Sequence, residues 1–377
     1  MRSFTVASVW GIPIRVNTSL IVFLPILAWL IGAGGQIEAY AGLIGGLTGV
    51  PLDLAALQAG PTPWIIGVAA AVGLFLSVTL HELGHSWVAL RYDIGIESIT
   101  LWILGGLAAL ESLPKEWNRE LWIAVAGPIT SVGVAAACYA GTLATPASLP
   151  VVRFVVGWLA VTNVVLAGFN LLPAFPMDGG RVLRALLARS RPYGSATRIA
   201  ARVGVVFAML FAVVGVLTFQ LLLLLLALFI YGAATTESRT VLLDELLEGI
   251  TVGDIMSRDP PTVHGDTSLA ALGDRMLRER QTAFLVSGDG GPPAVVALTD
   301  LKRVRGDRDT TTVRSVAREL PRVDVADDAF DTLAALQGAG GTDALVEENG
   351  VPVGLLSEAD YSRAMTVRRG FGGSLGG

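Results

Sequence analysis

Two of the three histidines in the chain lie four residues apart, in the segment His81-Glu82-Leu83-Gly84-His85. On a helix this spacing places both imidazoles on one face, where they can hold a single zinc ion. The glutamate between them can then accept a proton from water that the metal activates. The segment lies within an apolar stretch, where an unpaired charge costs a few kcal/mol, and a bound metal accounts for the cluster. A polar contact between helices and a proton path are the alternatives.

A catalytic zinc site that keeps one position open for water needs a third protein ligand. Asp178 is the candidate, because Pro173 and Pro176 break the helix before it and a pair of glycines follows it. Irregular backbone at membrane depth is tolerated where it is buried in protein or lines a cavity, which suits a segment that bears a ligand. The alternative is that Asp178 caps a helix that begins near Arg181.

The composition indicates which elements must position these side chains. Of the 377 residues, 53% are hydrophobic and only 16% are charged, whereas soluble domains carry roughly a quarter charged residues. This argues against a wholly soluble protein and excludes a disordered one. A membrane helix needs about 20 apolar residues, and the sequence offers a set of stretches near that length. The six predicted membrane helices are residues 18–34, 64–90, 121–145, 152–172, 201–217 and 219–235.

Charge is unevenly distributed along the chain. Residues 1–249 hold 13 basic and 13 acidic side chains, while residues 250–377 carry the whole formal net charge of −5. The contrast predicts a membrane-embedded first part and a soluble, acidic second part. Because the pI is near 5.3 and no basic stripe is visible, a nucleic-acid partner is not expected. The first apolar stretch is predicted as a retained helix rather than a signal peptide, since no short basic region precedes it.

The basic residues also predict the orientation in the membrane. Loops on one side hold eleven Lys and Arg residues, and loops on the other side hold only Arg153. Both termini and the acidic tail are therefore predicted to be cytoplasmic, in a multi-pass protein of the cell membrane. The second helix then ends at the cytoplasmic side, which puts the two histidines roughly 8–14 Å below that surface. Residues 94–112 alternate partly in polarity and predict a hairpin at the membrane surface, with a plain connector as the alternative.

The spacing of both motifs resembles that of the site-2 proteases, the intramembrane zinc metalloproteases of peptidase family M50. That family carries HExxH on the second of six core helices and N-x-x-P-x-x-x-x-D-G at the fourth, matched here from Asn170 to Gly179. The Gly105-Gly106 loop and the lead GIPIRV are also similar to those of the family. The family often has a histidine near the position of Asn17. This departure affects no expected metal ligand.

The resemblance implies a zinc-dependent endopeptidase whose ion is held by His81, His85 and Asp178. It implies that Glu82 is the general base and that Asn170 hydrogen-bonds the substrate or the developing oxyanion. A capping contact at the helix break is the alternative role of Asn170.

The resemblance also implies a substrate with a single transmembrane helix, such as an anti-sigma factor or a signalling precursor. The scissile stretch of such a helix must unwind before it is cut. Residues 96–104 are the candidate for pairing with the unwound chain as an edge strand.

The soluble part contains two similar blocks, residues 251–308 and 309–366. The sequence of each block predicts the same order of elements: strand, helix, strand, strand and helix. Asp300 and Asp360 lie sixty residues apart at equivalent strand ends. The two blocks resemble a tandem cystathionine-β-synthase (CBS) module, which implies adenine-nucleotide binding and pairing into a homodimer.

The nucleotide segment of that family, G-h-x-S/T-x-x-D, is intact in the second block as Gly354, Ser357 and Asp360. There Asp360 would hold ribose hydroxyls and Ser357 would hold phosphate. The first block has alanine at the Gly and Ser/Thr positions and keeps only Asp300, so one nucleotide site is expected rather than two. Strand-end or helix-cap chemistry is the alternative role of both aspartates.

The expected fold class is a polytopic α-helical membrane protein with six transmembrane helices and a small membrane-associated β element, followed by an α/β tandem CBS module. The expected divisions around the two blocks are a core over 1–238, a linker over 239–250 and a flexible tail over 367–377. The expected function is regulated intramembrane proteolysis, modulated by the CBS module. A transporter regulated by a CBS tail and an inactive scaffold are the alternatives, and the intact Glu82 argues against the scaffold.

Overall fold

A computed structural model describes the protein in two compact units, Met1–Arg239 and Thr240–Gly377. The described residues are 3–33, 35–103, 105–110, 115–287, 294–304 and 307–372.

Helices make up most of the first unit, and the last of them continues past its boundary. They are α1 (Thr18–Gly32), α2 (Gln36–Thr48), α3 (Leu54–Gln58), α4 (Thr62–Arg91), α5 (Trp117–Ala144), α6 (Pro150–Asn170), α7 (Asp178–Ala188), α8 (Tyr193–Leu217) and α9 (Leu221–Leu247).

Within the described residues, five helices are long and apolar enough to cross a membrane, namely α4, α5, α6, α8 and α9. A sixth span exists if α1 and α2, which are bent by 68° relative to each other, count as one. The predicted polytopic helical fold is therefore confirmed. Polar residues after 235 end the apolar stretch of α9 but do not break helices, so α9 extends beyond the predicted 235 to Leu247.

A four-stranded sheet accompanies the helices, in the order β1-β2-β3-β4. Its strands are β1 (Ser3–Val9), β2 (Ile12–Asn17), β3 (Ile96–Trp102) and β4 (Gly105–Leu110). The β3–β4 hairpin matches the one predicted over 94–112, of which 104 and 111–112 lie outside the described residues. The β1–β2 hairpin was not predicted; its turn is Trp10-Gly11, and both residues have positive φ.

The sheet order corrects one expectation about substrate pairing. β3 pairs with β2 on one side and with β4 on the other, so the predicted segment 96–104 does not present β3 as an edge. In the described part of the sheet, the edges are β1 and β4.

The second unit contains the two predicted repeats. In the first are β5 (Thr262–His264), α11 (Leu269–Glu279), β6 (Ala283–Ser287), β7 (Ala294–Ala297) and α12 (Leu298–Arg303). In the second are β9 (Arg322–Asp324), α13 (Ala329–Gly338), β10 (Ala344–Glu348), β11 (Val351–Leu356) and α14 (Glu358–Gly372). Both follow the predicted order of strand, helix, strand, strand and helix.

Short leading segments cross between the repeats. Residues of α10 (Val252–Ile255) lie in the core of the second repeat, and Ser257 bridges to Leu355 on β11. Conversely, β8 (Arg318–Glu319) pairs with β7 of the first repeat. The segment expected as a linker, 239–250, is helical through Leu247, and Leu247 and Ile250 are buried in the same core.

Candidate active site

The three predicted metal ligands meet at one point. His81 and His85 lie one turn apart on α4, and Asp178 is the first residue of α7. The Nε2 atom of His81 is 3.1 Å from Asp178 Oδ2 and 3.2 Å from His85 Nε2, and the third edge, from His85 Nε2 to Asp178 Oδ2, is 3.2 Å. All three residues are buried.

This triangle has the size that zinc requires. A tetrahedral ion with ligand atoms at about 2.0–2.1 Å has ligand-to-ligand edges of about 3.3–3.4 Å, close to the observed 3.1–3.2 Å. Two imidazole nitrogens and one carboxylate oxygen form a donor set typical of catalytic zinc, which keeps a fourth position for water or substrate. The residues present therefore fit the ion.

Asp178 does not cap the helix that it begins. α7 starts at Asp178 itself, and the residue at the N-cap is Met177, whose side chain makes no capping hydrogen bond. The capping alternative for Asp178 is therefore wrong. Gly179 permits the turn, because a Cβ there would lie 2.3 Å from the carbonyl oxygens of Leu171 and Leu172.

Helix α5 orients both imidazoles, which no pattern in the sequence indicates. Ile123 accepts a hydrogen bond of 2.7 Å from His85 Nδ1, and the Ser131 hydroxyl lies 2.9 Å from His81 Nδ1. Because a carbonyl only accepts, His85 Nδ1 carries the proton and its Nε2 lone pair is free for a metal. These partners are 38 and 50 residues from their histidines, so no local pattern pairs them.

A glycine on α5 makes room for the ligand atoms. A Cβ on Gly127 would lie 2.2 Å from His85 Nε2 and 2.6 Å from His81 Nε2. Gly84, inside the histidine motif, likewise lets α4 approach α5, since its Cβ would lie 2.3 Å from the Thr130 hydroxyl. The site thus depends on close contact between the two helices.

The β3–β4 hairpin lies over the glutamate of the motif. A Cβ on Gly106 would be 2.4 Å from Cγ and 2.7 Å from Oε1 of Glu82. The Glu82 carboxylate therefore lies against β4, next to Gly106.

Asn170, the other predicted catalytic residue, ends α6. Its Nδ2 donates a hydrogen bond of 3.0 Å to the Leu166 carbonyl, one turn earlier on the same helix. This bond lies within α6 and is a different contact from the capping contact at the helix break that was the alternative role for Asn170.

A buried ion-pair network lies beside the candidate site. Arg184 on α7 pairs with Glu120 on α5, at 2.6 Å from Nε to Oε1, and with Glu237 on α9. Its guanidinium also stacks over Phe175, at 5.0 Å from the ring centroid, and over Tyr193. Sequence reasoning missed this network, because the two carboxylates lie 64 and 53 residues from Arg184.

Of the residues predicted to bind a nucleotide, some line a cavity and others do not. A cavity of about 1050 Å³ in the second unit is lined by Asp300 and Ser357, together with Arg318 and Asp343. Asp360, which is 2% exposed, caps α14 instead and accepts hydrogen bonds from the Ser357 amide and hydroxyl.

The remaining predicted residue, Gly354, packs against the Ser257 carbonyl. Asp300 and Asp360 each accept a hydrogen bond from the backbone at the start of their own helix, which was the alternative role for both.

The chain is similar in sequence to several known proteins. A model of peptidase family M50 matches residues 69–149 and 145–211, and a CBS domain model matches 252–307. The chain is 36% identical over 297 residues to the zinc metalloprotease MJ0392 of Methanocaldococcus jannaschii, covering 78% of this chain and 84% of the relative. It is 32% identical to the putative zinc metalloprotease Rip3 of Mycobacterium tuberculosis, over 95% of this chain and 92% of the relative.

Among solved structures, a site-2 protease from Methanocaldococcus jannaschii is 34% identical, with a TM-score of 0.43, and the match covers 63% of this chain and 96% of that one. A CBS-domain protein from Agrobacterium tumefaciens is 21% identical with a TM-score of 0.29, over 31% of this chain and 96% of that one.

Proposed function

The chain belongs to peptidase family M50, and from that premise we propose that it is a zinc-dependent intramembrane endopeptidase that cleaves transmembrane segments of membrane-anchored regulatory proteins. The chain is a metalloprotease with several helices able to cross a membrane. The proposal adds the place of cleavage, the class of substrate and the roles of individual residues.

One observation carries the proposal. Three ligand atoms, two from α4 and one from α7, lie 3.1–3.2 Å apart in a buried cluster, and α4 is itself long and apolar enough to span a membrane. A histidine and carboxylate cluster on such a helix is costly without a function. Peptide-bond hydrolysis within the membrane is the function that this arrangement supports best.

In the proposed reaction, His81, His85 and Asp178 hold one zinc ion. When bound, zinc supplies Lewis acidity, which makes water a nucleophile near neutral pH and polarises the scissile carbonyl. The Glu82 carboxylate accepts a proton from the attacking water and passes it to the nitrogen of the leaving amine. A C–O bond forms, the C–N bond breaks, and the proton ends on the new amino group.

Asn170 is proposed to hydrogen-bond the substrate or the developing oxyanion. One N–H of its amide is bonded to the Leu166 carbonyl, and the second N–H is the donor proposed for the substrate.

The unpaired side of β4 is the proposed place where the unwound substrate binds. An extended chain that adds to β4 would have its backbone held by strand hydrogen bonds beside the Glu82 carboxylate. Substrates with a single transmembrane helix, such as an anti-sigma factor or a signalling precursor, fit this mode of binding once unwound.

The second unit is proposed to regulate the protease by binding an adenine nucleotide. The cavity of about 1050 Å³ has carboxylates at Asp300 and Asp343 for ribose hydroxyls and Ser357 for phosphate. The proposal also includes cytoplasmic termini, a homodimer through the CBS repeats, and a location in the cell membrane. No nucleic-acid partner is proposed.

The test is cleavage of a reporter transmembrane helix by the full-length protein in proteoliposomes. Glu82→Gln should abolish cleavage while zinc content stays near one ion per chain, because glutamine cannot accept the proton. The matched control is Glu38→Gln, at an exposed position on α2, which should cleave like the wild type. Equal cleavage by wild type and Glu82→Gln would refute the proposed mechanism.

A further inference from the structure

Arg184 is the largest fully buried side chain in the described part of the chain, with 1% exposure. A buried guanidinium is tolerated only when it is paired and hydrogen-bonded. Arg184 meets that requirement by contacts with α5 and α9, through the carboxylates of Glu120 and Glu237.

The contacts of Arg184 converge on the helix that begins with Asp178. The two residues lie six positions apart on α7, about 9 Å along the helix axis. On the other side of Asp178, Phe175 in the preceding loop packs under the same guanidinium, 5.0 Å from its ring centroid. The chain is therefore held by Arg184 both before and after the aspartate.

Glu120 links this arrangement to the histidines. It lies on α5, three residues before Ile123, whose carbonyl accepts the hydrogen bond from His85, and α5 also carries Ser131, the partner of His81. The Arg184–Glu120 pair therefore fixes the helix that bears the carboxylate ligand against the helix that orients both imidazoles.

Through its ion pair with Glu237, Arg184 also contacts a third helix, α9. Glu237 lies two residues before the boundary of the first unit, on α9, which continues as one helix to Leu247 in the second unit. Its side chain is 32% exposed, whereas that of Glu120 is 5% exposed. The contact with Glu237 is thus the more readily altered of the two.

We propose that Arg184 is a positioning residue of the zinc site, which holds the Asp178 carboxylate at ligand distance from the two histidines. Through Glu237, the position of α9 affects that distance. The inference rests on the proposed zinc protease function. Among the described residues, the ion pairs of Arg184 are with Glu120 and Glu237 and not with His81, His85 or Asp178. Arg184 acts by fixing α7, and a shift of α9 changes the geometry of the ligand triangle through Glu237.

Lysine at position 184 keeps the charge but loses the planar fork that binds two carboxylates at once. Partners that orient metal ligands change metal affinity by about 10- to 100-fold when they are lost. Arg184→Lys should therefore release zinc about tenfold faster in the presence of a chelator. Glu237→Gln leaves the Glu120 pair intact and should give an increase of about two- to fivefold. In both variants kcat should fall while KM stays constant, because substrate contacts are unchanged.

The experiment uses the full-length protein in detergent micelles, with zinc release followed by a chromophoric chelator and zinc content measured by mass spectrometry. Arg189→Lys, the same change near the end of the same helix, is the matched control and should release zinc at the wild-type rate. Phe154→Leu changes a buried side chain of a separate core cluster and serves as a control for general loss of stability.

Faster zinc release in Arg184→Lys and Glu237→Gln than in a Phe154→Leu protein of equal or lower melting temperature would support the inference. Release at the wild-type rate in both variants, or equally fast release in Phe154→Leu, would overturn it and leave the protease proposal intact. A wild-type protein that retains no zinc would instead overturn the proposed function, and the inference with it.

Discussion

The hydrogen bond between Ser131 and His81 offers a sharp test of how α5 supports the zinc site. The Ser131 hydroxyl lies 2.9 Å from His81 Nδ1, and the two residues are 0% and 4% exposed. If His81 Nε2 binds zinc, Nδ1 would carry the proton and donate a hydrogen bond to the Ser131 oxygen. Ser131→Ala removes the acceptor and creates almost no new space.

The expected size of the effect follows from burial. A buried donor left without a partner costs about 1–3 kcal/mol. Since about 1.4 kcal/mol corresponds to a factor of ten, this cost weakens binding by about 5- to 150-fold. Without zinc the neutral imidazole can carry its proton on Nε2 instead of Nδ1, so most of the cost falls on the zinc-bound state. The affinity of Ser131→Ala for zinc should therefore fall by at least about fivefold.

The measurement is a zinc competition titration of the full-length protein against a chelator of known affinity, at fixed pH. Reporter cleavage measured in parallel should fall at limiting zinc and recover when zinc is in excess. The matched control is Ser77→Ala, which removes another buried serine, on α4 itself, whose hydroxyl accepts a hydrogen bond from Asn163 and contacts no ligand. Zinc affinity of Ser131→Ala within twofold of the wild type would refute the reasoning, and so would an equal loss in Ser77→Ala.

Three further predictions concern space and charge around the two candidate sites. Gly127→Ala should lose zinc and activity, because the new Cβ would lie 2.2–2.6 Å from the ligand nitrogens. Gly133→Ala on the same helix, where nothing lies within 4 Å of the new Cβ, should retain both. Equal zinc content in the two variants would contradict this prediction. Gly106→Ala should lower kcat at least about tenfold with zinc content unchanged, because its Cβ would displace the carboxylate of the proposed base; unchanged kcat would exclude the close contact with β4. Asp300→Asn should weaken ATP binding to the full-length protein, measured by calorimetry, more than Asp360→Asn does, because of the two only Asp300 lines the cavity. Asp360→Asn should lower the melting temperature more, because the Asp360 carboxylate accepts hydrogen bonds from the amide and the hydroxyl of Ser357. A larger loss of ATP binding in Asp360→Asn would favour the residue that the sequence motif selects.

The sequence predicted much of the site because its strongest signals are local. The spacing of His81 and His85 makes them share a helix face whatever else the chain does. The broken segment before Asp178 is encoded by prolines and glycines with fixed backbone preferences. Apolar stretches and the repeated order of elements in the tail are likewise properties of short windows. These parts of the prediction agree with the structure.

Part of what the sequence missed is local, and part depends on residues far apart in the chain. No strand is predicted in residues 3–17, although Ile12, Ile14 and Val16 alternate there with other residues, and β1 is almost wholly exposed. The sequence predicts residues 96–104 as an edge strand, because no local signal shows that β2 pairs with β3 across more than 80 residues. The end of α9 was placed too early because hydropathy reports where the membrane ends and not where the helix ends.

The sequence alone therefore determined the chemistry that the protein can carry, two imidazoles and a carboxylate with a glutamate between them, and the kind of helix that carries it. The tertiary structure decided how those groups are held: Ser131 and Ile123 on α5 orient the rings, Gly127 leaves room for the ligand atoms, and Arg184 joins three helices. The physical reason is that residue types and local spacing fix which groups share a helix face. The partner across a helix interface is fixed only when the whole set of helices packs.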